Sequence, residues 1–197
     1  MNTLHKIFKA HNGFARMQEL RNNGIQTRTI AKAVADGIIE KIKPGLYKLV
    51  DYTWDEHGSF ADVCNSYNKA VICLTSAASY YDITTFNPSY ITVAVPHNTP
   101  GFKLEYPPIQ VYYFPHKYYE TGINEIDTKS GLIKIYDREK TICDLFRYQT
   151  KIGDDIVIES LKNYLKLKKR DINKLFEYAQ TLSVKEKIHP YVKAIVG

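Results

Sequence analysis

The chain has 197 residues, of which 44% are hydrophobic and 24% are charged, a composition typical of a folded protein rather than a disordered one. No apolar run approaches the roughly 20 residues needed to span a bilayer, and the N-terminus lacks the apolar core of a signal peptide, so we expect a cytoplasmic protein with no membrane contact. Residues 1–50 hold nine Lys and Arg against three Asp and Glu, whereas residues 51–197 hold eighteen of each. The net charge of +6 therefore resides in the first quarter of the chain, which points to a polyanion-binding module beside a neutral domain.

Three short helices are predicted in the first 36 residues. Apolar residues at helical spacing indicate the first over residues 3–11, and a second covers about 15–22 before the stop at Gly24. The third begins at the capping residue Thr27 and ends before Gly37. The residues of this third helix expected to face the core are Ile30, Ala33 and Val34.

A β-hairpin is predicted directly after the third helix. Its strands are Ile38–Lys43 and Leu46–Val50, and the Pro-Gly pair between them fits a type II turn. Three helices followed by a hairpin is the order of a winged helix-turn-helix, in which the hairpin is the wing. A two-residue turn puts Lys41 opposite Lys48, a like-charge pair that costs a few tenths to about 1 kcal/mol unless a phosphate lies between the two ammonium groups.

The rest of the chain predicts an α+β fold. We expect a winged helix-turn-helix domain over 1–50, a connector over 51–69, and a mixed α/β domain over 70–197 with a small sheet and a helical C-terminal tail. The second domain is expected to start with a buried helix over 70–83 that has a strand-like beginning. Its further elements are strands at Tyr90–Pro96, Ile109–Pro115 and Gly131–Asp137, and helices over 138–149, 154–169, from Asp171, and from Ser183 to an end or kink at Pro190.

DNA contacts are expected from the third helix and the wing. In a winged helix the third helix enters the major groove, and the wing reaches phosphates or the adjacent minor groove. The groove residues expected are Arg28, Thr29 and Lys32; the wing residues are Lys41, Lys43 and Lys48; Arg16 and Arg21, placed on the second helix, are further phosphate candidates. If the helix is considered alone, an ordinary solvated face of an amphipathic helix explains Arg28 and Lys32 equally well. The adjacent wing is what favours DNA binding.

Catalytic, cofactor and metal sites have little support. Asp137–Lys140 supplies the residue types of a nuclease site without its spacing, and helix capping explains the segment more simply. A catalytic role requires Asp137, Glu139 and Lys140 to converge in a pocket. Six scattered histidines and three widely spaced cysteines show no metal-ligand spacing, so we expect no catalytic residue, no cofactor and no metal.

A second basic cluster lies at residues 162–170, where Lys162, Lys166, Lys168, Lys169 and Arg170 follow one another. A solvated helix end that complements the helix dipole is the simpler interpretation. A contact with phosphate or with an acidic partner is the alternative that remains open.

The segment Gly13–Leu49 resembles the N-terminal winged helix of AbiEi-type antitoxins. The resemblance is carried by Gly24-Ile25, Thr29-Ile30, Gly37-Ile38-Ile39, Lys41-Ile42 and Gly45-Leu46-Tyr47. The second domain is also similar: Val71–Thr84 resembles the family's Ser-Ala helix, Tyr90–Pro96 its next strand, and Ile135–Tyr148 its segment with Asp137, Glu139, Lys140, Thr141, Asp144 and Leu145.

This resemblance implies a type IV toxin–antitoxin role in abortive infection, a defence against phage. Such antitoxins bind repeats in their own promoter through the winged helix and repress the operon, and their C-terminal domain counteracts a nucleotidyltransferase toxin. The expected partners are double-stranded promoter DNA and that toxin, and a monomer is expected in solution. A plain transcription regulator, whose C-terminal domain senses a small ligand or a protein, is the alternative function.

Overall fold

The computed structural model describes residues 3–11, 13–51, 58–101, 103–104 and 106–196. The chain divides into two compact units. The first comprises Met1–Asn68, Phe102–Pro108 and Ile126–Ile133, and the second comprises Lys69–Gly101, Ile109–Glu125 and Lys134–Gly197. Within the described part of the chain, no helix combines the length and the apolar character needed to cross a bilayer.

The first unit is a winged helix extended by one helix. Its elements in chain order are α1 (Thr3–Ala10), β1 (Phe14–Arg16), α2 (Met17–Asn22), α3 (Thr27–Ala35), β2 (Ile39–Lys43), β3 (Leu46–Leu49) and α4 (Gly58–Ser66). The sequence did not predict β1, because three residues are too few to show an alternating pattern. This short strand nevertheless completes an antiparallel sheet in the order β1-β3-β2, which makes β3 the central strand.

Apolar residues from all three leading helices form the core of this unit. Phe8 of α1, Leu20 of α2 and Ile30 of α3 are each at most 1% exposed, and they pack with Ile39 and Leu49 of the two wing strands. The helix stops predicted at Gly24 and Gly37 are confirmed, with φ values of +80° and +66° that favour glycine. One prediction for this core is wrong, since Val34 is 36% exposed.

A set of helices and most of a mixed five-stranded sheet form the second unit, while Ile126–Ile133 of the last two strands are counted with the first unit. The strands are β4 (Val71–Ile72), β5 (Ile91–Pro96), β6 (Ile109–Phe114), β7 (Ile123–Thr128) and β8 (Gly131–Tyr136), in the order β6-β5-β4-β8-β7. The helices are α5 (Leu74–Tyr80), α6 (His116–Glu120), α7 (Arg138–Arg147), α8 (Gln149–Ile152), α9 (Asp154–Lys166), α10 (Ile172–Thr181) and α11 (Lys185–Val196).

The predicted α+β class with a helical tail is confirmed, and several details differ. The strand-like start of the 70–83 segment is β4, but α6, β7 and α8 were not predicted, because polar residues outnumber apolar ones in each of these short elements. Helix α9 ends at Lys166, three residues before the expected end. Helix α11 continues through Pro190 to Val196, so Pro190 does not end the helix, and the alternative of a kink there stays a prediction. Residues 52–57 of the expected connector lie outside the described residues, whereas residues 58–68 belong to the first unit.

Helix α7 is the centre of the second unit, and a buried ion pair lies on it. The Lys140 side chain is 0% exposed and the Asp144 side chain 1%, and the Lys140 ammonium donates to an Asp144 carboxylate oxygen one turn later. The same ammonium lies 4.1 Å from the ring centre of Tyr136 and 4.8 Å from that of Phe114. Burial raises the pKa of Asp144, and the neighbouring Lys140 opposes that shift. Because burial removes the hydrating water from both side chains, each charge is stabilised only by the opposite charge of the other.

Removing one member of this pair is expected to destabilise the fold far more than removing both. Asp144→Leu or Lys140→Met alone leaves an uncompensated buried charge and costs roughly 3–5 kcal/mol of unfolding free energy. The double variant Lys140→Met with Asp144→Leu fills a similar volume with apolar atoms and is expected to recover most of that loss. Urea denaturation followed by circular dichroism measures all three variants. A double variant no more stable than the single ones would refute the compensation argument.

Candidate nucleic-acid interface

The exposed face of α3 carries three of the residues predicted to contact DNA. Arg28, Thr29 and Lys32 are all exposed, while Ile30 is 1% exposed and Ala33 4% exposed on the opposite face of the helix. Among the described residues, Arg28 and Lys32 form no ion pair with an acidic side chain. Two unpaired cations one helical turn apart are thus available to an external anion.

The turn between α2 and α3 is fixed by side-chain contacts. Gly24 supplies the left-handed conformation, and the Arg21 guanidinium donates to the Thr27 hydroxyl at 3.1 Å. This hydrogen bond joins the end of the second helix to the start of the third. Arg21 is exposed and lies beside the N-terminus of α3, where helix-turn-helix proteins commonly contact phosphate.

Arg16 has a different place from the one predicted. It is the last residue of β1, not part of the second helix, and its backbone N–H donates to a Glu19 carboxylate oxygen at 2.7 Å. Its guanidinium donates to the backbone carbonyl of Asn65 at 3.1 Å, at the end of α4. Arg16 therefore helps to hold α4, although the residue remains exposed.

The register of the wing differs from the prediction, and the difference changes the electrostatic argument. The two-residue turn is confirmed, because Lys43 pairs with Leu46 and Gly45 has a φ of +80°. A bulge between Lys41 and Lys43 then shifts the pairing by one residue, so Lys41 lies opposite Tyr47 and Lys48 lies opposite Glu40. The predicted opposition of Lys41 and Lys48 is wrong.

The hydrophobic pattern of β2 explains this bulge. Ile39 and Ile42 are three residues apart, so a regular strand with a period of two can turn only one of them to the core. With the extra residue, Ile39 is 1% exposed and Ile42 6% exposed. Burying both isoleucine side chains thus determines which side chains pair across the wing.

Two of the three wing lysines are bound by the protein itself. The Lys48 ammonium lies 3.1 Å from a carboxylate oxygen of the buried Asp62 on α4 and 3.3 Å from a carboxylate oxygen of Glu40. The Lys43 ammonium donates to the carbonyl of Ser66, at the end of the same helix. Burial, and then the nearby Arg16, lowers the pKa of Lys43. Only Lys41 among the three is exposed, so it is the wing lysine that remains available to DNA.

Sequence reasoning missed the part that α4 plays. Asp62 is 2% exposed and accepts from Lys48 across fourteen positions of the chain, a separation that no local pattern reveals. The one signal in the sequence was the three-residue spacing of Ile39 and Ile42, which is incompatible with a regular half-buried strand.

The three residues considered for catalysis, Asp137, Glu139 and Lys140, do not all line the same cavity. Asp137 and Glu139 line a cavity of about 250 Å³ in the second unit, but Lys140 is completely buried against Asp144 and does not line it. The Asp137 carboxylate caps α7 by accepting from the Lys140 backbone N–H at 2.8 Å, and it also accepts from Lys174 at 3.0 Å. The capping role predicted for Asp137 is confirmed, and the three residues do not converge. The described residues contain no group of His, Cys, Asp and Glu placed to hold a metal ion.

The first unit places the protein in the class of winged helix-turn-helix proteins, and two exposed cations on its third helix have no ionic partner within the part of the chain that the structure describes. Residues 2–50 match the family described as transcriptional regulator, AbiEi antitoxin. The predicted resemblance of Gly13–Leu49 to AbiEi antitoxin regulators is confirmed by this match. The match covers the winged helix and leaves residues 51–197 outside it. No curated protein matches the chain.

The contact between Lys48 and Asp62 is expected to stabilise the first unit measurably. Asp62→Asn keeps the shape of the side chain but removes the buried counter-charge of Lys48, so it is expected to cost several times more than a surface pair. Glu40→Gln is the matched control, because its carboxylate is half exposed and surface pairs contribute at most about 1 kcal/mol. Thermal unfolding of both variants gives the comparison. Equal losses in the two would mean that the buried pair contributes nothing beyond a surface pair.

Proposed function

We propose that this protein is an antitoxin and transcriptional autorepressor of a type IV toxin–antitoxin operon, acting in the cytoplasm. The winged helix binds repeats in the operon's own promoter, one monomer to each repeat, and the second unit counteracts a nucleotidyltransferase toxin from the same operon. The observation that supports the DNA-binding half is the pair of exposed cations Arg28 and Lys32 on α3, which have no ionic partner among the described residues. The match of residues 2–50 to the AbiEi antitoxin regulators supports the antitoxin half.

Each DNA contact in this proposal has a stated chemistry. Arg28 and Lys32 read guanine edges or phosphates in the major groove, and Thr29 donates to a phosphate or base edge beside them. Arg21 contacts phosphate at the start of α3, and Lys41 contacts the backbone from the wing. Lys43 and Lys48 no longer serve as primary contacts, because their ammonium groups bind Ser66 and Asp62. Arg16 is likewise occupied by Asn65.

One observation favours the alternative of a ligand-sensing regulator. The cavity that Asp137 and Glu139 line is also lined by Tyr81, Asn124 and Arg138. The Arg138 Nε atom is buried and has no hydrogen-bond partner among the described residues. Such an atom suits an anionic ligand. The cavity has a volume of about 250 Å³, which is below the roughly 300–1,000 Å³ of most small-molecule sites. We therefore prefer the antitoxin function.

Promoter binding is expected to depend on α3. Arg28→Ala combined with Lys32→Ala removes two positive charges from the groove face, so binding to a duplex carrying the promoter repeats should weaken at least tenfold and the log-log salt slope should fall by about two. Gel shifts at several salt concentrations measure both quantities. Lys6→Ala, an exposed lysine on α1, is the control and should bind as the unmodified protein does. If the double variant binds as tightly as the unmodified chain, α3 is not the groove-reading helix.

The antitoxin function is tested by co-expression. The full chain should relieve the growth arrest caused by the nucleotidyltransferase encoded beside it, and the Arg28→Ala, Lys32→Ala variant, expressed from an unrelated promoter, should relieve it equally well. Growth curves after toxin induction give the measurement. A full chain that leaves the arrest unchanged favours the ligand-sensing regulator.

A further inference from the structure

Two buried polar atoms without a hydrogen-bond partner among the described residues line the same cavity of the second unit. They are the Nε atom of Arg138, the first residue of α7, and the hydroxyl oxygen of Tyr81, at the end of α5. The Arg138 guanidinium lies 4.9 Å from the centre of the Tyr81 ring. This ring contact stabilises the cation but leaves its Nε–H without an acceptor, and an unmade hydrogen bond from a buried charged group is costly.

The cavity presents hydrogen-bond donors from several separate elements. Besides Arg138 and Tyr81, it is lined by Asn124 of β7 and by Lys169, which lies between α9 and α10. The Asn124 amide lies close to the Tyr81 hydroxyl, outside normal hydrogen-bond geometry. Burial raises the pKa of Tyr81 to about 12, so its hydroxyl keeps its proton at neutral pH and can donate. Neither Arg138 nor Lys169 forms an ion pair within the described part of the chain. Donors that surround a cavity in this way suit an oxyanion.

Three carboxylates line the cavity as well, and each accepts hydrogen bonds from the protein. Asp137 accepts from the Lys174 ammonium at 3.0 Å, and Asp171 accepts from the Lys174 backbone N–H at 2.9 Å. Glu139 accepts from the Tyr164 hydroxyl at 2.8 Å. Because a carboxylate has about four lone-pair sites, Glu139 and Asp171 can accept a further hydrogen bond. The cavity therefore presents acceptors beside its donors.

This mixed lining restricts the kind of anion that fits. The charges of the three carboxylates equal those of Arg138, Lys169 and Lys174, so the cavity lacks the excess of cations that a nucleic-acid backbone requires. Its volume of about 250 Å³ favours a small ion. Sulfate carries no proton at neutral pH, so it can only accept hydrogen bonds and the carboxylates repel it. Phosphate keeps a proton at neutral pH, so it can accept from the donors and donate to a carboxylate.

We propose that this cavity binds inorganic phosphate in its protonated forms. The bare phosphate oxygens accept from Arg138, Tyr81 and Lys169, and a phosphate hydroxyl donates to Glu139 or Asp171. Because these residues belong to α5, α7 and the segment that leads into α10, the bound ion links three parts of the second unit. The site is independent of the antitoxin function proposed above.

Isothermal titration calorimetry of the full chain tests this site by comparing phosphate with sulfate. The ionic strength is held constant with sodium chloride, in a buffer without other oxyanions. Arg138→Gln removes the guanidinium, Tyr81→Phe removes only the hydroxyl, and Glu139→Gln removes a charge while keeping an acceptor for Tyr164. Lys168→Gln is the control matched to Arg138→Gln in charge, because Lys168 is exposed and does not line the cavity. Circular dichroism checks that each variant is folded.

The unmodified chain is expected to bind phosphate saturably and sulfate at least tenfold more weakly. Arg138→Gln should weaken phosphate binding at least tenfold and Tyr81→Phe about threefold, whereas Lys168→Gln should leave it unchanged. Glu139→Gln should reduce the preference for phosphate over sulfate. Equal binding of the two ions would indicate an adventitious ion only and overturn the proposal. So would the absence of saturable phosphate binding, or a folded Arg138→Gln variant that binds phosphate as the unmodified chain does.

Discussion

The ion pair between Lys48 and Asp62, together with two backbone contacts at the end of α4, engages three cations of the first unit that were expected at DNA. Asp62 is buried on α4, and its carboxylate holds the ammonium of Lys48 at 3.1 Å. The end of the same helix accepts from Lys43 and from Arg16 through backbone carbonyls. These contacts tie the wing and β1 to α4. Because these contacts engage three of the eight residues expected at DNA, the proposed DNA-contact surface shifts towards α3 and Lys41.

The origin of that ion pair is a packing requirement within the wing. Ile39 and Ile42 are both buried only because the bulge adds one residue between Lys41 and Lys43. The bulge places Glu40 opposite Lys48, so the ammonium meets two carboxylates instead of another ammonium. The like-charge repulsion expected from a regular hairpin is therefore absent. Hydrophobic burial fixed the register, and the electrostatics of the wing followed from it.

The helices of the first unit were predictable because their signals are local. Apolar residues at helical spacing place α1 and α3 on the core, and Gly24 and Gly37 end α2 and α3 through conformations that few other residues adopt. The exposure of Arg28, Thr29 and Lys32 follows from the same periodicity. Elements that depend on distant partners were not predictable. Strand β1 exists because β3 pairs with it, and Asp62 matters because Lys48 lies across the fold.

Charge serves two opposite purposes in this chain, and burial distinguishes them. Lys140 and Asp144 are both buried and satisfy each other, and Asp137 joins α7 to α10 through Lys174. The two charges of such a pair cancel, so neither attracts a partner. In the sequence, these residues cannot be told apart from lysines and aspartates that bind a ligand. The exposed cations Arg28 and Lys32 of α3 have no acidic counterpart among the described residues, so their desolvation is offset only when a partner supplies the anion. A count of charges along the sequence cannot separate these two groups. The structure separates them, because a buried carboxylate such as Asp144 lowers the formal net charge of its segment without screening any exposed lysine.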